Sequence, residues 1–155
     1  MPPPRGSQNP IEGPGDYDFT SQVHNDTYDA ISPTNFDFSG KAVFISGGTK
    51  GIGRAITIAF AGAGASYIAA GARSVVPSLE NDVIAAAEKA GRRAPHFLSL
   101  TLDVTAQKST EEAAKKVESE FGRCDIVVNV AGIVGQMAPI ADSDPEEWWK
   151  VWNVN

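Results

Sequence analysis

Ser46-Gly47-Gly48-Thr49-Lys50-Gly51-Ile52-Gly53-Arg54-Ala55 separates two segments of different periodicity. Before it, residues 41–46 (KAVFIS) form a short apolar run, the pattern of a strand buried on both faces. After it, residues 52–65 (IGRAITIAFAGAGA) place Ile52, Ala55, Ile56, Ala59, Phe60 and Ala63 at helical spacing, and this face is expected to point inward. A glycine-rich turn that closes a strand and opens a helix is the start of a strand–helix–strand unit.

Outward from this unit the pattern repeats. Residues 66–72 (SYIAAGA) are a second apolar run, and residues 78–91 a helix with Leu79, Val83, Ala86, Ala87 and Ala90 inward and Gly91 as its stop. Residues 94–104 (APHFLSLTLDV) read as a third strand. Residues 109–122 read as a helix opened by a Ser109–Glu112 capping box, with Ala113, Val117 and Phe121 inward and Gly122 as its stop. Residues 125–130 (DIVVNV) are a fourth, largely β-branched strand. Strand and helix alternate at crossover spacing, so the expected class is α/β with a parallel sheet and helices on both faces. Right-handed crossovers place the first two helices on one face and the third on the other, giving strand order 3-2-1-4. Ligand is then expected beyond the carboxyl ends of strands 1 and 4, where the winding direction changes.

The last segment, residues 144–155 (DPEEWWKVWNVN), begins as a helix should. Asp144 is an N-cap, Pro145 suits the first position, and Glu147 would complete a capping box. Trp148, Val151, Trp152 and Asn155 fall on one face, and no stop signal precedes Asn155.

Each glycine of the first turn has an expected role. Gly47 permits the tight turn, Gly51 lets the backbone approach a pyrophosphate, and Gly53 lets the helix pack close to the sheet. Ser46, Thr49, Lys50 and Ile52 complete the loop, whose free N–H groups and helix dipole suit phosphates. The spacing G-x-x-x-G-x-G resembles the glycine motif of the short-chain dehydrogenase/reductase family. Asp103-Val104 is similar to that family's adenine-contacting segment. Asn129-Val130-Ala131-Gly132 is similar to its Asn-Asn-Ala-Gly signature, with Val130 in place of the second Asn, and Trp152-Asn153-Val154-Asn155 resembles the end of its fourth helix. The resemblance runs from about Ser39 to Asn155. It implies a Rossmann-like sheet, here incomplete, and a nicotinamide dinucleotide held by the loop, by Asp103 and Val104, and by Asn129, Ala131 and Gly132. It further implies hydride transfer between that cofactor and a small carbonyl or alcohol substrate. Asn155 matches the family's catalytic Asn, expected to point into the active site and hold a water for proton relay.

Cofactor choice is a question of charge. The family's ribose-binding acid would fall at Ala72, which is followed by Arg73 and Ser74, with Lys50 nearby in the loop. Two cations and a hydroxyl suit a 2′-phosphate, so NADP(H) is favoured over NAD(H). The resemblance also implies a catalytic Tyr-x-x-x-Lys, and none of Tyr17, Tyr28 and Tyr67 has a Lys four residues on. The expected identity is therefore an NADP(H)-dependent oxidoreductase present as a truncated chain. The alternative is a non-catalytic dinucleotide-binding fragment, such as a splice or gene-model product without turnover.

Composition bounds the rest. The 155 residues are 42% hydrophobic and 21% charged, ordinary for one globular domain. Residues 1–40 hold one basic residue against six acidic ones and six of the ten prolines. We expect residues 1–38 to form a disordered or extended tail, with residues 1 to about 22 disordered, and residues 39–155 to form a partial NAD(P)-binding domain. The rest of the chain is near neutral, which argues against nucleic acid, and no apolar run reaches a membrane span. A cytoplasmic setting is expected, with oligomers only in a complete chain. The single cysteine, Cys124, is expected to be a buried packing residue, and no metal site is expected.

Overall fold

Four parallel strands form the central sheet of the computed structural model: β1 (Ala42–Ser46), β2 (Tyr67–Ala72), β3 (His96–Thr101) and β4 (Ile126–Asn129). Their order is β3-β2-β1-β4, the order expected from right-handed crossovers. Val43 lies opposite both Ile68 and Ile126, and Ser46 lies opposite both Gly71 and Asn129. The strands therefore end level, and their carboxyl ends make one rim.

Helices α1 (Gly51–Gly62) and α2 (Ser78–Lys89) cover one face of the sheet, and α3 (Gln107–Phe121) covers the other. Val43, Ile45, Ile68, Leu79 and Val83 are fully buried on the α1–α2 face. Ala42, Ala69, Leu100, Leu102, Ala113, Val117 and Phe121 build the thinner α3 face. Burial of each large apolar side chain contributes about 1.5–3 kcal/mol, so both faces stabilise the sheet. α2 buries Leu79, Val83 and Ala87, three of the residues expected inward, and α3 buries all three of its own.

Three local expectations are corrected. In α1 the expected inward face holds in part, with Ala63 buried and Ile56 and Phe60 packed against the core, but Gly53, Thr57 and Ala61 are its buried stripe, while Ile52 is 73% exposed and Ala55 is also exposed. The cause is the close approach at its first turn: a Cβ on Gly53 would lie 2.1 Å from Gly47 O, so the helix is seated by Gly53 and Thr57. α3 begins at Gln107, before the expected capping box, because the Ser109 hydroxyl instead accepts from the Asp103 N–H at 3.0 Å. Cys124 is exposed rather than buried, since it lies in the turn before β4, at the open edge of the sheet.

The final helix, α4 (Pro145–Val154), is capped by Asp144, whose carboxylate accepts from Glu146 N–H at 2.9 Å. Glu147 does not close the expected capping box but pairs with Lys150 at 2.8 Å. No residue of α4 is buried, and Trp148, Trp149 and Trp152 are all exposed.

The structure describes residues 28–155 and the backbone of two short pairs in the tail, Gln8–Asn9 and Gly13–Pro14, which form an antiparallel ladder. The disorder expected for residues 1 to 22 falls, apart from those four residues, outside the described residues. The chain divides into two units, Met1–Ser32 and Pro33–Asn155. Within the second, Phe38 packs edge-on to Phe60 at 5.1 Å, and Arg92 donates to Phe36 O at 2.9 Å. That fastens the segment before β1 to the domain. Among the described residues no helix is long and apolar enough to cross a membrane.

Candidate cofactor site

The rim of strand ends opens into a cleft of about 730 Å³, within the range of small-molecule sites. It is built from the turn that follows each strand. After β1, Gly47, Thr49, Lys50, Gly51, Ile52 and Gly53 form one wall. Gly47 adopts φ +72°, and a Cβ there would lie 2.8 Å from Ala131 Cα, so this turn also fits against the segment after β4. Thr49 is 3% exposed.

After β2, Arg73 and Ser74 line the cleft beside Ala72. Among the described residues no salt bridge engages Arg73 or Lys50. After β3 come Asp103 and Val104. The Thr105 hydroxyl donates to Asp103 Oδ1 at 2.7 Å and the Thr105 N–H donates to the same oxygen at 3.0 Å. These two bonds, the hydroxyl first, hold the Asp103 carboxyl below its usual range, and the Arg73 charge acts in the same direction.

After β4, Ala131 and Gly132 complete the far wall with Val130 and Ile133. Every cofactor candidate from the sequence lines this cleft except Ser46 and Asn129, which border a neighbouring cavity. Ser46 serves the cleft indirectly, since its Oγ accepts from Val130 N–H at 3.2 Å and from Ala131 N–H at 3.4 Å. It thereby ties the end of β1 to the turn after β4. Asn155 does not line the cleft. Its side chain accepts from Ile133 N–H and donates to Ile133 O, both at 2.9 Å.

Sequence reasoning missed Leu102, Thr105, Ile133, Lys150 and Val154 as lining residues, and it placed Ala72 and Val130 at the site only as positions in motifs that resemble the family's. For Thr105 a signal existed, since a Thr two residues after an Asp is an Asx-turn pattern. Lys150 and Val154 reach the cleft only through the placement of α4, which no local pattern gives.

The groups gathered in the cleft are of a kind that suits an anion. The first N–H groups of α1 have no helical acceptors, and the helix dipole adds partial positive charge there. Lys50 and Arg73 add full charges, and no acidic residue lies at the end of β2 to oppose them.

A family model described as short chain dehydrogenase matches residues 41–155. The short chain dehydrogenase pigC of Monascus ruber is 61% identical over all of this chain, which corresponds to 51% of that protein. Among solved structures, the NADPH-dependent 3-quinuclidinone reductase of Rhodotorula rubra is 33% identical with a TM-score of 0.62, over 88% of this chain and 47% of that one. A putative dehydrogenase from Burkholderia cenocepacia with bound NADP is 26% identical with a TM-score of 0.65, over 77% of this chain and 44% of that one. The chain thus spans about half the length of these relatives. With the glycine loop, the strand order and the strand-end cleft already in place, these matches identify the chain as a member of the short-chain dehydrogenase family.

Proposed function

We propose that the chain forms the cofactor-holding part of an NADP(H)-dependent oxidoreductase that moves hydride between NADPH and a small carbonyl or alcohol. The observation that carries the cofactor choice is the pairing of Arg73 and Lys50, both free of salt bridges among the described residues, with an Ala72 position that holds no acid. A 2′-phosphate placed there gains charge-assisted hydrogen bonds from two cations and meets no acid at the end of β2, the Asp103 carboxylate lying after β3.

The residues present fit a dinucleotide. The glycine loop would face the pyrophosphate with backbone N–H groups, Ser74 and Arg73 the ribose phosphate, Asp103 and Val104 the adenine, and Ala131 and Gly132 the far ring. When bound, the nicotinamide supplies or accepts the hydride. The chain itself binds and orients the cofactor, and Ser46 holds the two walls of the cleft in register. Asn155 belongs to the proposed catalytic group, with a relay water as its further partner. Its grip on Ile133 would set where that water sits.

The second reading is a dinucleotide-binding chain without turnover. Fluorescence titration with NADPH, followed by an assay for carbonyl reduction, tests both. Binding with turnover supports the first reading, and binding without turnover supports the second. Failure to bind NADPH contradicts both.

A further inference from the structure

Thr57 is wholly buried in α1, on the face that packs against the sheet. Its hydroxyl lies 2.9 Å from Gly53 O and also 2.9 Å from Gly48 O. The first contact is the back-bond that helical Thr residues commonly make to the preceding turn. The second is not local to the helix, since it reaches nine residues back into the glycine loop. Valine would occupy nearly the same volume, so packing alone does not require a hydroxyl. A hydroxyl has one proton, here shared between two carbonyls whose own peptide units differ in kind. Gly53 O already belongs to the helix, whereas Gly48 O belongs to the turn.

Gly48 is enclosed on its other sides as well. A Cβ there would lie 3.0 Å from Ala70 Cβ and 3.0 Å from Ile45 O. The peptide joining Gly48 to Thr49 is planar and trans, so its C=O and N–H point in opposite directions. With the carbonyl held inward against Thr57, the Thr49 N–H points the opposite way, away from the helix interior, and Thr49 is one of the residues that line the cleft. Among the described residues the N–H groups of Thr49 and Lys50 meet no backbone acceptor.

We infer that Thr57 is a positioning residue for the glycine loop: its hydroxyl holds the Gly48 carbonyl inward and so presents the Thr49 N–H to an anionic ligand in the cleft. The inference rests on the reading of this cleft as a dinucleotide site. Thr57 touches no ligand, and it acts through the direction of one peptide unit. Ser keeps the hydroxyl and should keep the function. Val keeps the shape and should lose it.

The test compares wild type, Thr57→Val and Thr57→Ser, each well below its melting temperature, by NADPH titration and by amide hydrogen exchange without ligand. The expected result is an NADPH dissociation constant raised about tenfold or more in Thr57→Val, the scale of one charge-assisted hydrogen bond, with Thr57→Ser close to wild type. Exchange at Thr49–Gly53 should quicken in Thr57→Val, while amides of β2 and β3 stay unchanged. Wild-type affinity in Thr57→Val overturns the inference. So does a uniform rise in exchange across the domain that Thr57→Ser does not reverse, because that marks a general packing role. If wild type itself fails to bind NADPH, the dinucleotide reading falls, and the exchange comparison alone then decides: a loop that exchanges alike in wild type and Thr57→Val overturns the inference, and a selectively loosened loop upholds it.

Discussion

Asn155 and Ile133 are joined by two hydrogen bonds, Oδ1 accepting from the Ile133 N–H and Nδ2 donating to the Ile133 carbonyl, each 2.9 Å long. One amide side chain thus satisfies both backbone groups of a residue that lines the cleft, and it fixes the end of α4 to the segment after β4. Asn155→Ala should therefore loosen this segment. The Ile133 amide should exchange several-fold faster, in line with about 1 kcal/mol for a lost hydrogen bond, while the core amides of β1 stay protected. Asn155→Asp removes the donor and keeps the acceptor, so it should spare the Ile133 N–H. Unchanged exchange at Ile133 in Asn155→Ala would show that the pairing does not hold the loop.

Ser99 offers a gain in stability. It sits in β3, and among the described residues its buried Oγ has no hydrogen-bond partner. A buried hydroxyl without a partner costs about 1–3 kcal/mol. Ser99→Ala removes that cost and leaves only a small void. The variant should be more stable by about 1 kcal/mol in urea denaturation. A loss of stability would mean that the hydroxyl is satisfied by water.

Asp103 titrates below the ordinary Asp value of 3.8 because the Thr105 hydroxyl and N–H, with Arg73 behind them, favour the carboxylate. A depressed folded-state pKa contributes stability above the unfolded value, and that contribution fades as pH falls through the folded value. The loss is thus confined to acid conditions below about pH 4. Carboxyl carbon shifts followed by NMR should give Asp103 a midpoint below that of an unperturbed Asp. Thr105→Val should raise it, since only the N–H bond would remain. An ordinary midpoint in wild type would remove the Asp103–Thr105 pair from the electrostatics of the cleft.

β4 is an edge strand, and Val127 on it is 59% exposed. Apolar, β-branched edges pair with other chains unless a charge blocks them. The exposed Trp148 and Trp152 add apolar surface. The 155-residue chain should self-associate at moderate concentration, and Val127→Lys should reduce this in sedimentation velocity. A wild-type chain that stays monodisperse and melts cooperatively would contradict the expectation.

The legible part of the fold is whatever a period or a spacing can carry. The β-branched run of β4, the apolar run of β1 and the inward residues of α2 and α3 all follow from which faces must be buried. The inward face of α1 is legible only in part, at Ile56, Phe60 and Ala63 but not at Ile52 and Ala55. The close approach of Gly53 to Gly47 and the Thr57 hydroxyl's bond to the Gly48 carbonyl decide its rotation, and apolar periodicity does not register them. The start of α3 is hidden because Ser109 serves Asp103 instead of its own helix. At the site, the glycine loop can be named because it closes a strand and opens a helix, and Arg73, Ser74, Asp103 and Val104 because they stand at positions that resemble the family's motifs. Ile133, Lys150 and Val154 cannot, because they enter the cleft through the long irregular segment between β4 and α4.

The proposed ligand of the cleft is a nicotinamide dinucleotide, with its 2′-phosphate selected by Arg73 and Lys50. The most direct test is titration calorimetry of the chain with NADP(H) and NAD(H), in wild type and in Arg73→Asp. Wild type should prefer NADP(H) about tenfold or more, and Arg73→Asp should weaken NADP(H) binding by over ~1.5 kcal/mol with little effect on NAD(H). Equal affinities of wild type for the two cofactors, or an Arg73→Asp variant that still prefers NADP(H), would contradict it.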